Sequence, residues 1–367
     1  MRFSFLDGFS SRHFDWVLVL VVFVLSMIGL AAMYSVDLSR GETLQFFPKQ
    51  AVALFLGLLC IFGGSLIHVR AYQSFAPVVY AGALVLLVLV LFFGTTIRGT
   101  TGWFRVAGFS FQPVEFAKLG LILFLAYRIA RFKRQFYAWQ FVVSTGMVTA
   151  LLIVPVLFQP DLGSALIIGS IWFGLLLLSK TKWRYIGTLI ALGVGAAILA
   201  WFFFFAPYQK ERIFTFLHPE RDPLGSGYNV MQSLIAIGSG NFFGRGLGFG
   251  SQSQLHFLPE AQTDFIFSVI GEELGFVGVG IVLLLYLVLF FRLIQIALHG
   301  RDDFATYTVL GVSVLFFVQT VINMCAAIGL FPVTGIPLPF LSYGGSSLLI
   351  NCLLIGVAES VFRFGRA

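Results

Sequence analysis

The chain reads as a succession of apolar runs separated by short polar segments. A helix that crosses a bilayer needs roughly 20 mostly apolar residues. Runs of that kind lie near 15–34, 48–67, 74–93, 114–127, 141–158, 162–179, 186–205, 265–291, 304–328 and 345–361. The fourth is short, and only Gln159-Pro160-Asp161 separates the fifth from the sixth. The pattern predicts an all-α polytopic integral membrane protein with about ten transmembrane helices. An even number places both termini on one side. Lys and Arg are about fourfold denser in loops 1–14, 68–73, 128–140, 180–185, 292–303 and 362–367 than in the opposite set, so the former, with both termini, is expected to be cytoplasmic. Residues 206–264 then form a large extracytoplasmic loop between helices 7 and 8. The first apolar run lacks an Ala-x-Ala cleavage site and reads as a retained helix.

Composition agrees with this plan. Charged residues make up 11% of the 367 residues, against about 25% in an ordinary soluble domain, and the mean hydropathy is +0.95. The net charge of +7 is spread through short loops, which orients a membrane protein and argues against a nucleic-acid partner. Cys60, Cys325 and Cys352 all fall within apolar runs, with no metal-type spacing, and read as small buried hydrophobes. No internal repeat or low-complexity tract interrupts the chain, so 1–367 reads as a single transmembrane domain.

Ionisable groups at membrane depth are costly and tend to mark function. Glu115 and Lys118, three residues apart in the fourth helix, share a face and can pair, either as a structural lock or as part of a site. Gln112-Pro113 before them fits a helix start. Asp161 suits a cap for the sixth helix. Within 206–264, Tyr228–Ile237 is expected to form a short amphipathic helix, and the glycine run after it lacks the lysine of a phosphate-binding loop. Asp264 ends this loop at the mouth of the eighth span; Thr263 or Asp264 as a helix cap competes with a catalytic reading. Glu272 and Glu273 follow, and adjacent residues on a helix are expected to face apart.

Several long segments together resemble the SEDS family, the shape, elongation, division and sporulation proteins. They are Phe111-Gln112-Pro113-Val114-Glu115-Phe116-Ala117-Lys118, Gln159-Pro160-Asp161-Leu162-Gly163-Ser164, Asp222 to Asn229 with Gln232-Ser233 and Ile235 to Gly240, Gly250 to Leu255, Leu258-Pro259-Glu260 with Thr263 to Phe267, and Pro337 to Ser347. The resemblance covers nearly the whole chain and lies nearer the rod-shape branch of the family than its division branch. It implies a bacterial peptidoglycan glycosyltransferase that polymerises lipid II at the outer face of the cytoplasmic membrane; a division polymerase and a lipid II flippase are the alternatives. It implies Asp264 as the catalytic base, with Glu115 and Lys118 lining the central cavity. Gln112, Arg212, Arg221, Asp161 and Ser342 are further substrate-binding candidates on the same resemblance. It also implies a class B penicillin-binding protein as partner, alongside membrane lipid. A divalent cation, magnesium or manganese, would suit the diphosphate, yet no ligand cluster specifies one. Val114, Gln262, Asn241 and Gly102 depart from the family's usual residues.

Overall fold

The computed structural model describes residues 14–39, 44–97, 99–106, 109–132, 139–179, 181–203, 210–211, 214–216, 218 and 225–365. Each apolar run becomes a helix. These are α1 (Trp16–Leu38), α2 (Phe47–Leu66), α3 (Val69–Phe93), α4 (Pro113–Arg131), α5 (Trp139–Phe158), α6 (Leu162–Leu178) and α7 (Trp183–Phe203). After two shorter helices, α8 (Ser226–Ser239) and α9 (Ser251–Gln254), come α10 (Ile266–Leu298), α11 (Asp303–Ala327) and α12 (Gly345–Phe364). Among the described residues, 8 helices are long and apolar enough to cross a membrane. Of the remaining two runs, α6 is apolar but spans 17 residues, and α4 carries Glu115, Lys118, Arg128 and Arg131. The chain is a multi-pass membrane protein.

The helix starts follow from their polar residues. Asp15 accepts from Leu18 N at 3.2 Å to cap α1, and Asp302 accepts from Ala305 N at 2.8 Å to cap α11. Asp15 also pairs with Arg292 of α10 at 2.6 Å, and Glu359 of α12 accepts from the Asp15 backbone N–H at 3.0 Å. One buried residue thus ties the start of α1 to two other helices, by its carboxylate to α10 and by its backbone N–H to α12.

Two segments between the spans carry more structure than expected. Residues 95–111 form a small antiparallel sheet, β1 (Thr95–Ile97), β2 (Thr100–Val106) and β3 (Phe109–Phe111), with Thr96 opposite Thr101 and Phe104 opposite Phe111. Its Thr, Ile, Trp, Phe and Val content suits a pleated surface, which a span count overlooks because the strands are too short. The sheet delivers Gln112 to the start of α4. The second segment lies in 206–264, where the expected amphipathic helix is present as α8 and residues 240–254 fold back onto α10.

That fold-back depends on Gly275, whose φ of 64° breaks α10 and releases backbone groups from its helical ladder. The loop takes them up. Arg245 N and Gly246 N donate to the carbonyls of Glu272 (3.0 Å) and Glu273 (2.9 Å), while Phe276 N and Val277 N donate to Asn241 O (2.9 Å) and Phe242 O (3.1 Å). Glu272 and Glu273, expected to face apart, both reach this loop. Glu272 accepts from Gln252 N (2.8 Å) and Ser253 N (3.1 Å) at the start of α9; Glu273 accepts from Gly248 N at 3.3 Å and from the Ser35 hydroxyl of α1. The loop wraps far enough round α10 to meet both faces.

Helices α2 and α12 approach closely where small residues meet. A Cβ on Gly356 would lie 2.8 Å from Cys60 O and 2.9 Å from Ile61 O, so backbone sits where a side chain would go. Cys352 is buried in the same seam beside Gly57, which bears out its reading as a small hydrophobe. Gly356→Val is therefore expected to destabilise the bundle by about 1–3 kcal/mol through overpacking. A lower unfolding temperature of the purified protein in detergent would register it.

Candidate active site

Asp264 stands on a turn between α9 and α10 that is organised by Glu260. The Glu260 carbonyl accepts from Thr263 N (3.0 Å), Asp264 N (3.2 Å) and Phe265 N (3.4 Å). Its carboxylate accepts from the Thr263 hydroxyl at 3.2 Å and the Gln262 amide at 3.4 Å. The cap position of α10 falls on Phe265 rather than on Thr263 or Asp264. Asp264 is half-buried at the start of this helix, where the helix dipole favours a negative charge. A groove of ≈ 450 Å³, lined by Gln45, His256, Leu258 and Pro259, opens beside the stretch leading to it.

The turn is held from outside as well. Ser342 donates its hydroxyl to Thr263 O at 2.6 Å and accepts from Leu338 N at 2.9 Å, and Tyr343 N donates to Gln262 O at 2.9 Å. Gln50 of α2 supports that second loop, donating to Ser342 O (3.2 Å) and accepting from Gly344 N (3.2 Å). Asn323 of α11 donates to Asp264 O at 3.1 Å and to Ile336 O at 2.9 Å. Ser342, anticipated from its motif as a substrate contact, thus shapes the site through backbone bonds. Burial, with Asp37 nearby, raises the Tyr343 phenol above its ordinary range, so its hydroxyl stays protonated near neutral pH.

Glu115 and Lys118 pair in α4 at 2.8 Å, each side chain 3% exposed. Oε2 of Glu115 has no hydrogen-bond partner, so the pair leaves one buried acceptor unsatisfied. The register against α11 is set by Gly311, whose Cβ would meet Ile122 at 2.8 Å. The helices run in opposite directions: α6 starts beside Thr334, just past the end of α11, and its cap Asp161 contacts Gln112 at the start of α4. Two turns along from Gly311, Gln319 therefore lies level with Glu115. Gln319 is fully buried, and neither of its side-chain amide atoms has a partner.

Asp161 caps α6 as expected, accepting from Ser164 N at 2.9 Å and the Ser164 hydroxyl at 2.7 Å. Gln112 donates at 3.5 Å to the same carboxylate oxygen that accepts the Ser164 hydroxyl. Arg212 and Arg221 lie outside the described residues. Among the described residues no group of three or more His, Cys, Asp or Glu side chains gathers at one place. Sequence reasoning missed Asn323, Gln319 and Gln50. The first two carry a signal, since a Gln and an Asn four residues apart in an apolar helix place amides on one face.

The residues 13–367 match the family model described as cell cycle protein, FtsW/RodA/SpoVE. A relative in Trichlorobacter lovleyi, a probable peptidoglycan glycosyltransferase FtsW, is 36% identical across 96% of this chain and 94% of its own. The peptidoglycan glycosyltransferase MrdB of Escherichia coli K12 is 35% identical across 95% of this chain and 93% of its own. Among solved structures, a chain from a peptidoglycan synthase complex, described as coordinating polymerization and crosslinking, has a TM-score of 0.81 at 33% identity over 95% of this chain and 98% of that one. The rod shape determining protein RodA of Thermus thermophilus has a TM-score of 0.71 at 30% identity over 95% and 97%.

Removing one member of a buried ion pair strands the other in a medium of low polarity. Glu115→Ala is expected to lower stability by about 3–5 kcal/mol, and the double variant Glu115→Leu with Lys118→Met to recover most of it. Thermal unfolding of the three proteins measures both effects.

Proposed function

The chain belongs to the FtsW/RodA/SpoVE family and is a peptidoglycan glycosyltransferase, and on that premise we propose that Asp264 is its general base. The carrying observation is how the carboxylates are placed. Glu272 and Glu273 are fully buried and bonded to the 240–254 loop, Asp161 caps a helix, and Glu115 is locked to Lys118. Asp264 is partly exposed, on a turn whose backbone is fixed from three sides.

In this reading two lipid II-type substrates meet at the outer mouth of the bundle, the side the positive-inside rule assigns to Asp264. Asp264 takes the proton from the acceptor sugar's 4-hydroxyl as that oxygen attacks the donor's anomeric carbon. The bond to the diphosphate breaks, its electrons leave with undecaprenyl diphosphate, and the configuration inverts. One carboxylate suffices because the leaving group needs no proton, unlike the alcohol released by glycosidases. Lys118 supplies a point cation to the departing diphosphate, and Glu115 keeps that ammonium in place until substrate arrives. Gln112 and the Arg212 and Arg221 side chains complete the proposed substrate contacts.

A class B penicillin-binding protein is the proposed partner. Support comes from the likeness to a chain of a complex that couples polymerization to crosslinking. The relatives named FtsW and MrdB are about equally near in sequence, and the rod-shape assignment leans on the motif from Gly250 to Leu255.

Loss of a general base costs about 10²–10⁴ in rate. Asp264→Asn, purified with its partner and given lipid II, is expected to form glycan strands at least about 100-fold more slowly than wild type. Strands made at the normal rate would sink the assignment. Glu115→Leu with Lys118→Met is expected to be folded yet inactive in the same assay; full activity would make the pair a structural lock alone.

A further inference from the structure

Asn323 lies near the end of α11 and is 3% exposed. Its side-chain nitrogen donates to two carbonyls, those of Asp264 at 3.1 Å and Ile336 at 2.9 Å. The loop after α11 also reaches the Asp264 turn through Ser342 and Tyr343, but those bonds end on Thr263 and Gln262. Asn323 grips residue 264 by its own carbonyl. On its other flank the Asp264 N–H is held by Glu260 O at 3.2 Å. With the peptide groups before and after it both fixed, the direction of the Cα–Cβ bond that carries the carboxylate is fixed too.

We propose that Asn323 is the positioning residue that aims Asp264 at the acceptor hydroxyl, a role that rests on the reading of Asp264 as base. The amide type matters. A planar NH₂ offers two donors at a set angle and satisfies both carbonyls at once, whereas a hydroxyl has one donor and an ionised carboxylate none. The location matters equally. Asn323 sits one turn beyond Gln319, which is level with Glu115, so a single rigid helix spans from the depth of the ion pair to the base. Binding the turn to α11 keeps the base in register with the groups below it. The turn retains its bonds from Glu260, Ser342 and Tyr343 without Asn323, so losing the amide should tilt Asp264 rather than unfold the loop. A tilt matters because a misplacement of about 1 Å can cost about 100-fold in rate.

The test uses the full chain with its partner protein in nanodiscs and lipid II as substrate. Asn323→Ala and Asn323→Asp are expected to lower kcat by about 10–100-fold, with KM for lipid II within about threefold of wild type. Asn323→Ser, with one donor left, should fall between. In an Asp264→Glu background, where the carboxylate is already displaced, Asn323→Ala should cost much less than it does in wild type. Wild-type kcat in the Ala and Asp variants overturns the proposal, as does a raised KM with unchanged kcat, which would make Asn323 a substrate contact. Full additivity with Asp264→Glu also overturns it. Should the Ala protein fail to insert, the Ser and Asp proteins carry the same comparison. Asp264→Asn run in parallel separates the two claims. If it is inactive while the Asn323 variants are normal, only the positioning role falls; if it polymerises normally, the base assignment falls and takes this proposal with it.

Discussion

Within hydrocarbon no water is present to satisfy a backbone amide, a carbonyl or a charge, so each must find its partner inside the protein. Most of the architecture follows from that requirement. Helices meet it along their length and fail it at their ends, which is why Asp15, Asp161 and Asp302 stand at helix starts with side chains turned back on the first free N–H groups. Where α10 breaks at Gly275, the freed groups do not stay empty; the 240–254 loop closes over them. A segment that would otherwise be a surface loop becomes part of the packed structure beside the site.

The same requirement explains the character of the site. Glu115 and Lys118 persist at depth because each is the other's partner, yet Glu115 Oε2 and both amide atoms of Gln319 lack one. Unsatisfied buried polar atoms are expensive, which is the ground for the substrate-binding role proposed for this level. A diphosphate-bearing lipid offers the complementary chemistry. The Asp264 turn is over-determined in backbone bonds, from Glu260, Ser342, Tyr343 and Asn323, and the residue itself is partly exposed. For the proposed base, rigid support of this kind would spare reorganisation during the reaction.

Much of this was legible in the order of residues. Apolar runs set the helices, because a span is decided by the local balance of side chains against lipid. Asp161 as a cap and the helix at 226–239 were likewise readable, since caps and amphipathic turns depend on neighbours within a few positions. The pairing of Glu115 with Lys118 followed from helical spacing alone. Asp264 as a candidate rested on its motif; nothing in its immediate neighbours distinguished a base from a cap.

Contacts between distant segments were beyond local reading. The strands at 95–111 were too short to announce themselves in a pattern of long apolar runs. That Glu272 and Glu273 serve one loop depends on a kink and on a chain that doubles back, neither of which helical periodicity reports. Asn323 and Asp264 are joined, and Gln319 is brought level with Glu115, by how α11 packs against its neighbours. The sequence by itself determined that this is a multi-pass helical protein with Asp264 at a helix mouth, because those properties are local. Only the tertiary structure decided what holds Asp264 in place, because that depends on which helices lie side by side.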